Sequence, residues 1–232
     1  MILPKVASAL RGGGKIVGAI YSLRGLRLAA RLNPGAVDFL ELRADMFADE
    51  IAQVARLVPR LKIPLILTVR DRREGGAGEL STVQRIALYE KFLRHAALVD
   101  IELASLKELA PVIAAARARK VGLIFSHHDF QKTPPKAKLL ALAGRAVREG
   151  ADVFKIAALA PNASDMAALL AFLAAEKRVP VSVMGMGRFG KVSRLLFTQA
   201  GSVLNYGFLD KAAVAGQWPA ALLKKRLGEL EP

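Results

Sequence analysis

The chain has 232 residues, 53% of them hydrophobic, enough to bury one large core or two small ones. Cysteine is absent, which excludes disulfides, thiol nucleophiles and thiolate metal sites. The net charge of +15 is spread over scattered side chains such as Arg24, Arg56, Lys107 and Arg145 with only 6% aromatics, a pattern of a basic, solvated surface that attracts anionic metabolites, not of a nucleic-acid face.

In chain order, Gly12-Gly13-Gly14 reads as a flexible entry loop before the first of eight strand-like segments. These lie at 15–21, 37–43, 65–70, 99–104, 122–126, 153–157, 181–184 and 202–206, short and almost continuously apolar, as strands covered on both faces are. Helical spacing of apolar residues fills the intervals. Examples are Ile51-Val54-Leu57-Val58, Ile86-Tyr89-Phe92-Leu93, Leu139-Leu140-Leu142-Ala143 and Met166-Leu169-Leu170-Leu173. Ser81, and Asn162 or Ser164, are expected N-caps, and Gly150 is expected to close a helix. A last helix follows Trp218-Pro219 through Leu222, Leu223, Leu227 and Leu230. Eight such units without a dividing linker predict a single-domain α/β protein, a (β/α)8 TIM barrel over residues 1–232. A doubly wound open sheet is the alternative, but no Gly-x-Gly-x-x-Gly turn follows the first strand.

No apolar run approaches the ~18–20 residues that cross a bilayer, and the first ten residues lack the apolar region of a secretory signal. A cytoplasmic protein without membrane or nucleic-acid partners is expected.

Lys155 is the residue that fits its surroundings least. It stands between Val153, Phe154, Ile156 and Ala157 in a segment with the look of a buried strand. A buried ammonium without a partner loses several kcal/mol of hydration, and the free amine that burial favours is a nucleophile for carbonyl groups. The plain alternative is a strand-end lysine whose stem covers apolar surface while its head reaches water.

Barrel enzymes place their chemistry at the carboxyl ends of the strands, and the unusual polar residues fall there. Glu41 and Arg43 alternate onto one side of the second strand, where they can point into the barrel mouth or simply pair with each other. Arg70 ends the third, followed by Glu74-Gly75-Gly76; Glu102 is on the fourth; Ser126-His127-His128-Asp129-Phe130 ends the fifth. Met184-Gly185-Met186-Gly187 follows the seventh, then Ser193-Arg194, and Gly216-Gln217 follows the eighth. Adjacent strand residues face opposite ways, so His127 and His128 are poorly placed to bind one metal; one is expected on the wall and the other in the pocket. A histidine near a carbonyl-seeking lysine is a natural proton shuttle.

In this order and spacing, Glu41-Leu42-Arg43, Thr68-Val69-Arg70, Glu74-Gly75-Gly76, the 126–130 segment, Phe154-Lys155-Ile156-Ala157, the 184–187 segment with Ser193-Arg194, and Gly216-Gln217 resemble type I 3-dehydroquinate dehydratase. That family comprises lyases of the shikimate pathway of aromatic amino acid biosynthesis, and the likeness spans the chain. It implies dehydration of 3-dehydroquinate to 3-dehydroshikimate by a homodimer, with no cofactor and no metal. By resemblance, Lys155 forms the Schiff base, His128 is the catalytic histidine and Glu74 assists it. Glu41, Arg43, Arg70, Arg194 and Gln217 match substrate-binding positions. Two departures stand out: Ala213 occupies a position where the family often has serine, and His127 one where it often has tyrosine. An iminium on Lys155 would act as an electron sink that makes the neighbouring carbon acidic without a metal. Arg43 and Arg70 are expected to favour the free amine together with burial, and Arg194 offers paired donors to a carboxylate. Gly75-Gly76 and the 185–190 segment are expected to let loops close over the ligand. A class I aldolase, with the same fold and imine, and a basic nucleic-acid-binding barrel are the competing readings.

Overall fold

The computed structural model describes Leu10 and residues 14–230. Gly12 and Gly13 of the predicted entry loop, and the first nine residues, lie outside them. The strands are β1 Lys15–Ile20, β2 Phe39–Arg43, β3 Leu65–Thr68, β4 Ala96–Glu102, β5 Gly122–Asp129, β6 Val153–Leu159, β7 Val181–Met186 and β8 Leu204–Phe208. The helices are α1 Leu23–Ala29, α2 Ile51–Leu57, α3 Thr82–Phe92, α4 Ala110–Ala118, α5 Lys136–Arg148, α6 Ala163–Ala175, α7 Gly190–Gln199 and α8 Ala220–Gly228. All strand pairs are parallel, in the order β7-β6-β5-β4-β3-β2-β1-β8.

Serines help to close the barrel. Between β7 and β8, Val203 N–H donates to the Val181 carbonyl at 2.9 Å, Ser182 Oγ donates to the Leu204 carbonyl at 2.5 Å, and Val183 N–H donates to Ser202 Oγ at 3.0 Å. Two edges that would otherwise bury unpaired peptide groups are satisfied in this way. The seam also explains why β8 starts at Leu204 and not at 202, since Ser202 and Val203 serve the closure.

Strand alternation divides the core in two. Outward residues such as Phe125, Phe154, Ile156 and Val183 pack under the helices; Phe154 meets Phe172 of α6 edge-on, ring centroids 6.1 Å apart. Val17, Phe39, Ile66, Leu98, Ile124, Val153 and Leu204 fill the barrel interior. On β6 the inward positions are Val153, Lys155 and Ala157, so Lys155 stands one layer above an apolar plug.

The expected caps form. Ser81 and Gln84 make a reciprocal capping box on α3, Asn162 caps α6, and Gly150, with φ +81°, follows α5. Strand ends shift most. β5 and β6 run on to Asp129 and Leu159 because the backbone ladder pairs His127 with Ile156, His128 with Ala157 and Asp129 with Ala158, and ladder bonds are indifferent to side-chain polarity. The last helix ends at Gly228, and Leu230 lies exposed beyond it. Among the described residues no helix is long and apolar enough to cross a membrane.

Candidate active site

All eight residues singled out by the sequence line one cavity of about 440 Å³ at the carboxyl ends of the strands: Glu41, Arg43, Arg70, Glu74, His128, Lys155, Arg194 and Gln217. At its floor Lys155 is buried at 4% exposure, but it is not unpartnered. Its Nζ donates to Asp100 Oδ2 at 2.7 Å, lies 3.6 Å from Glu41 Oε1, and stands 4.1 Å from the centroid of the Tyr206 ring. This corrects the expectation of a buried lysine without a partner: two carboxylates and an aromatic face surround its Nζ.

Asp100 is the hub of that floor. It also meets Arg70 Nη2 at 2.9 Å and accepts from Ser126 Oγ at 2.6 Å. Burial would raise its carboxyl, but Arg70, then Lys155, outweigh burial and hold it far below the usual range. Arg70 in turn donates to Glu102 at 2.9 Å and Ser126 at 2.8 Å, and Arg85 reaches the other Glu102 oxygen at 2.6 Å. Arg70 therefore lines the cavity while its Nη1 and Nη2 are engaged by protein acceptors.

His128 and Glu74 form the next unit. Glu74 Oε2 accepts both the His128 backbone N–H and ring Nδ1–H at 2.9 Å, while His127 Nδ1 lies 3.7 Å from the other oxygen. Burial would raise Glu74, but the nearby His127 imidazole and the His128 hydrogen bond bring it down to about 2. Burial, then Arg70, push His128 down to about 3 against the pull of Glu74. The imidazole is thus neutral near pH 7. With Nδ1–H committed to an ionised carboxylate, Nε2 carries the free lone pair. Of the two histidines, His128 lines the cavity and His127 does not.

The far wall has a different character. Arg194 is 3% exposed, and its guanidinium donates only to carbonyls: Tyr206 at 2.9 Å, Gly190 at 2.7 Å, and Gly185 and Gly216 at 3.3 Å. Among the described residues no carboxylate pairs with it, and burial lowers it to about 10. A buried cation without a counter-ion at a cavity wall is a receptor for an anion. Gln217 beside it takes the Ala213 N–H on its carbonyl oxygen at 3.3 Å and donates to Tyr21 Oη at 2.9 Å.

One local expectation fails because a nearer carboxylate takes the guanidinium. Arg43 does not pair with Glu41: its Nε and Nη2 clamp Asp45 at 3.0 and 2.8 Å, and Asp45 also accepts the Arg70 and Ala77 backbone N–H groups. Gly75 has φ +85°, and a Cβ on Gly76 would overlap the Arg70 carbonyl, so both are glycines of close approach. Ser193 Oγ accepts the Gly185 N–H at 3.0 Å and donates to the Gly190 carbonyl at 2.8 Å, bridging the two ends of the 185–190 segment. Asp45, Asp100, Tyr21 and Tyr206 escaped the sequence reading. Only Asp100 left a signal, since it sits in Leu98-Val99-Asp100-Ile101 much as Lys155 sits in its own apolar strand.

The sequence pattern that defines type I 3-dehydroquinase matches residues 23–231. The chain belongs to the type I 3-dehydroquinase family. It is 30% identical over 204 residues to the 3-dehydroquinate dehydratase of Methanocella arvoryzae, covering 88% of this chain and 90% of that one. With the enzyme of Aromatoleum aromaticum it shares 34% over 208 residues, 84% and 80% of the two chains. The crystal structure of the type I enzyme from Clostridium difficile superposes with a TM-score of 0.85 at 28% identity, over 95% of this chain and 93% of that one. The Geobacillus kaustophilus enzyme gives 0.84 at 30% identity, over 94% and 92%. The family's activity, 3-dehydroquinate dehydratase, is the activity of this chain.

Proposed function

We propose that the chain dehydrates 3-dehydroquinate to 3-dehydroshikimate through a Schiff base on Lys155, as a step of the shikimate route to aromatic amino acids. The observation that carries the mechanism is the buried lysine at the floor of the cavity, 2.7 Å from Asp100 and across from an anion receptor at Arg194 that lacks a carboxylate. The ammonium must first yield a proton. The neutral His128 imidazole, its free Nε2 facing the cavity, is a base suited to take it. The lysine nitrogen then adds to the substrate ketone, and His128 returns its proton to the carbinolamine hydroxyl, which leaves as water; this forms the iminium and makes the imidazole neutral again. That cation keeps the charge Lys155 had at rest, so Asp100, Glu41 and the Tyr206 ring that held the ammonium hold the iminium too.

The iminium acidifies the adjacent carbon. His128, oriented by Glu74, removes that proton and returns it to the departing hydroxyl, which leaves as water. Hydrolysis of the conjugated iminium frees the product and the lysine. In this reading Arg194 and Gln217 grip the substrate carboxylate, Arg43 and Glu41 contact its hydroxyls, and Arg70 lines the floor while holding Asp100 ionised. No metal or cofactor enters any step. The Clostridium difficile relative, whose structure is described as carrying covalent modified comenic acid, supports a covalent ligand in a site of this kind.

Borohydride added with 3-dehydroquinate is expected to fix the reduced substrate onto Lys155, read by peptide mass. No adduct at saturating substrate refutes the mechanism, whatever the turnover. Cytoplasmic residence and a homodimer complete the reading; a monomeric mass in solution would refute the dimer.

A further inference from the structure

One polar group at the cavity wall is left without a task by the mechanism. Tyr21 follows β1, lines the cavity and is 5% exposed. Its phenolic oxygen accepts the Gln217 Nε2–H at 2.9 Å. Among the described residues, no acceptor takes its own proton. The amide cannot turn to do so, because its carbonyl oxygen already holds the Ala213 N–H at 3.3 Å. The O–H is therefore directed away from Gln217.

The surroundings of the phenol define what that proton would meet. The Arg43 guanidinium lies 5.7 Å from its ring centroid, but Asp45 neutralises that charge. Arg194 lines the same cavity without a carboxylate partner among the described residues, and its Nη1 bonds the Gly216 carbonyl, one residue before Gln217. Burial, then Glu41, raise Tyr21 to about 12, so the proton stays on oxygen throughout the working range. A neutral donor beside an uncompensated cation is suited to an anionic acceptor, which both groups can bind at once.

We infer that Tyr21 is a substrate-binding residue whose O–H donates to the carboxylate held by Arg194 and Gln217. The inference rests on the carboxylate reading of Arg194 proposed above. It also gives a physical role to the alanine at 213. Ala213 meets the Gln217 amide only through its backbone, and the hydroxyl on that amide comes from the neighbouring strand end, from Tyr21 after β1.

Tyr21→Phe removes one oxygen and keeps the ring against Arg43. The expected result is a rise in KM for 3-dehydroquinate of about tenfold, the scale of a hydrogen bond to a charged group, with kcat changed less than about threefold. An inhibitor of the same ring with hydroxymethyl in place of the carboxylate should bind the wild type and Tyr21→Phe equally. An unchanged KM, or equal losses for the two ligands, overturns the assignment. Arg194→Ala, measured in parallel, separates the two levels: if it discriminates between the ligands while Tyr21→Phe does not, only Tyr21 is misassigned. If Arg194→Ala weakens both equally, the carboxylate site itself is wrong and the Tyr21 inference falls with it.

Discussion

The two sides of the cavity handle buried charge in opposite ways. On the lysine side Lys155, Arg70 and Arg85 meet Asp100, Glu41 and Glu102 at hydrogen-bond or ion-pair distance, and each carboxylate serves more than one donor. On the other side Arg194 is equally buried but, among the described residues, donates only to carbonyls. The paired side holds a fixed geometry in which a charge can be carried from ammonium to iminium with little rearrangement. The unpaired side is kept short of one negative charge, and the substrate brings it. A satisfied network provides precise placement, whereas a deliberately incomplete one provides affinity.

Breaking the paired side should have the largest effect. Asp100→Ala leaves Lys155 and Arg70 facing each other without their shared carboxylate, and the expected loss is about 3–5 kcal/mol of folding stability, read from the denaturant midpoint. A cost below about 1 kcal/mol would mean that the floor is solvated and the comparison wrong. Arg194→Ala should act on affinity instead. Loss of a buried charged donor pair is expected to raise KM about 30- to 100-fold, or about 2–3 kcal/mol, with a smaller stability change than Asp100→Ala. Equal destabilisation by the two variants would erase the distinction.

Acid titration sharpens the picture on the lysine side. His128 falls to about 3 in the folded protein from an ordinary value near 6.5, so below pH 6.5 the unfolded chain gains a proton that the folded one refuses. Stability is therefore full above pH 6.5 and declines as pH falls towards about 3, with a slope approaching 1.4 kcal/mol per pH unit from this group. Glu74, at about 2, adds a loss below pH 4.5. Thermal midpoints across this range for wild type and His128→Leu should diverge, the variant being flatter between pH 6.5 and 4.5; parallel curves would place the histidine in water.

The smallest effect tests a single atom. Among the described residues, Tyr206 Oη is buried without a hydrogen-bond partner, a flaw in the paired side. Tyr206→Phe should stabilise the empty protein by about 1 kcal/mol, measured by thermal unfolding; a destabilised variant would show that the hydroxyl is satisfied in solution.

Much of this site was legible because its charges interrupt apolar strands. Lys155 is conspicuous between Phe154 and Ile156, and Glu41 and Arg43 share a face by strand alternation alone. Their partners were harder to read. Asp45 lies only two residues from Arg43, yet strand alternation made Glu41 the expected partner; it took the turn after β2 to swing Asp45 back onto the guanidinium. Tyr21 and Gln217 meet across most of the chain's length, and no local pattern announces such a pair.

What the sequence determined by itself was the alternation of strand and helix, hence the barrel, and the end of it where the polar residues collect. Hydrophobic period and helix caps are local properties, written within a few residues. Tertiary structure alone decided which charges would be paired and which left open, and how the β7–β8 seam would close through Ser182 and Ser202. Electrostatic pairing depends on distance through space, and only barrel closure brings β1, β2, β4, β6 and the β8 loop within 4 Å of one another's side chains.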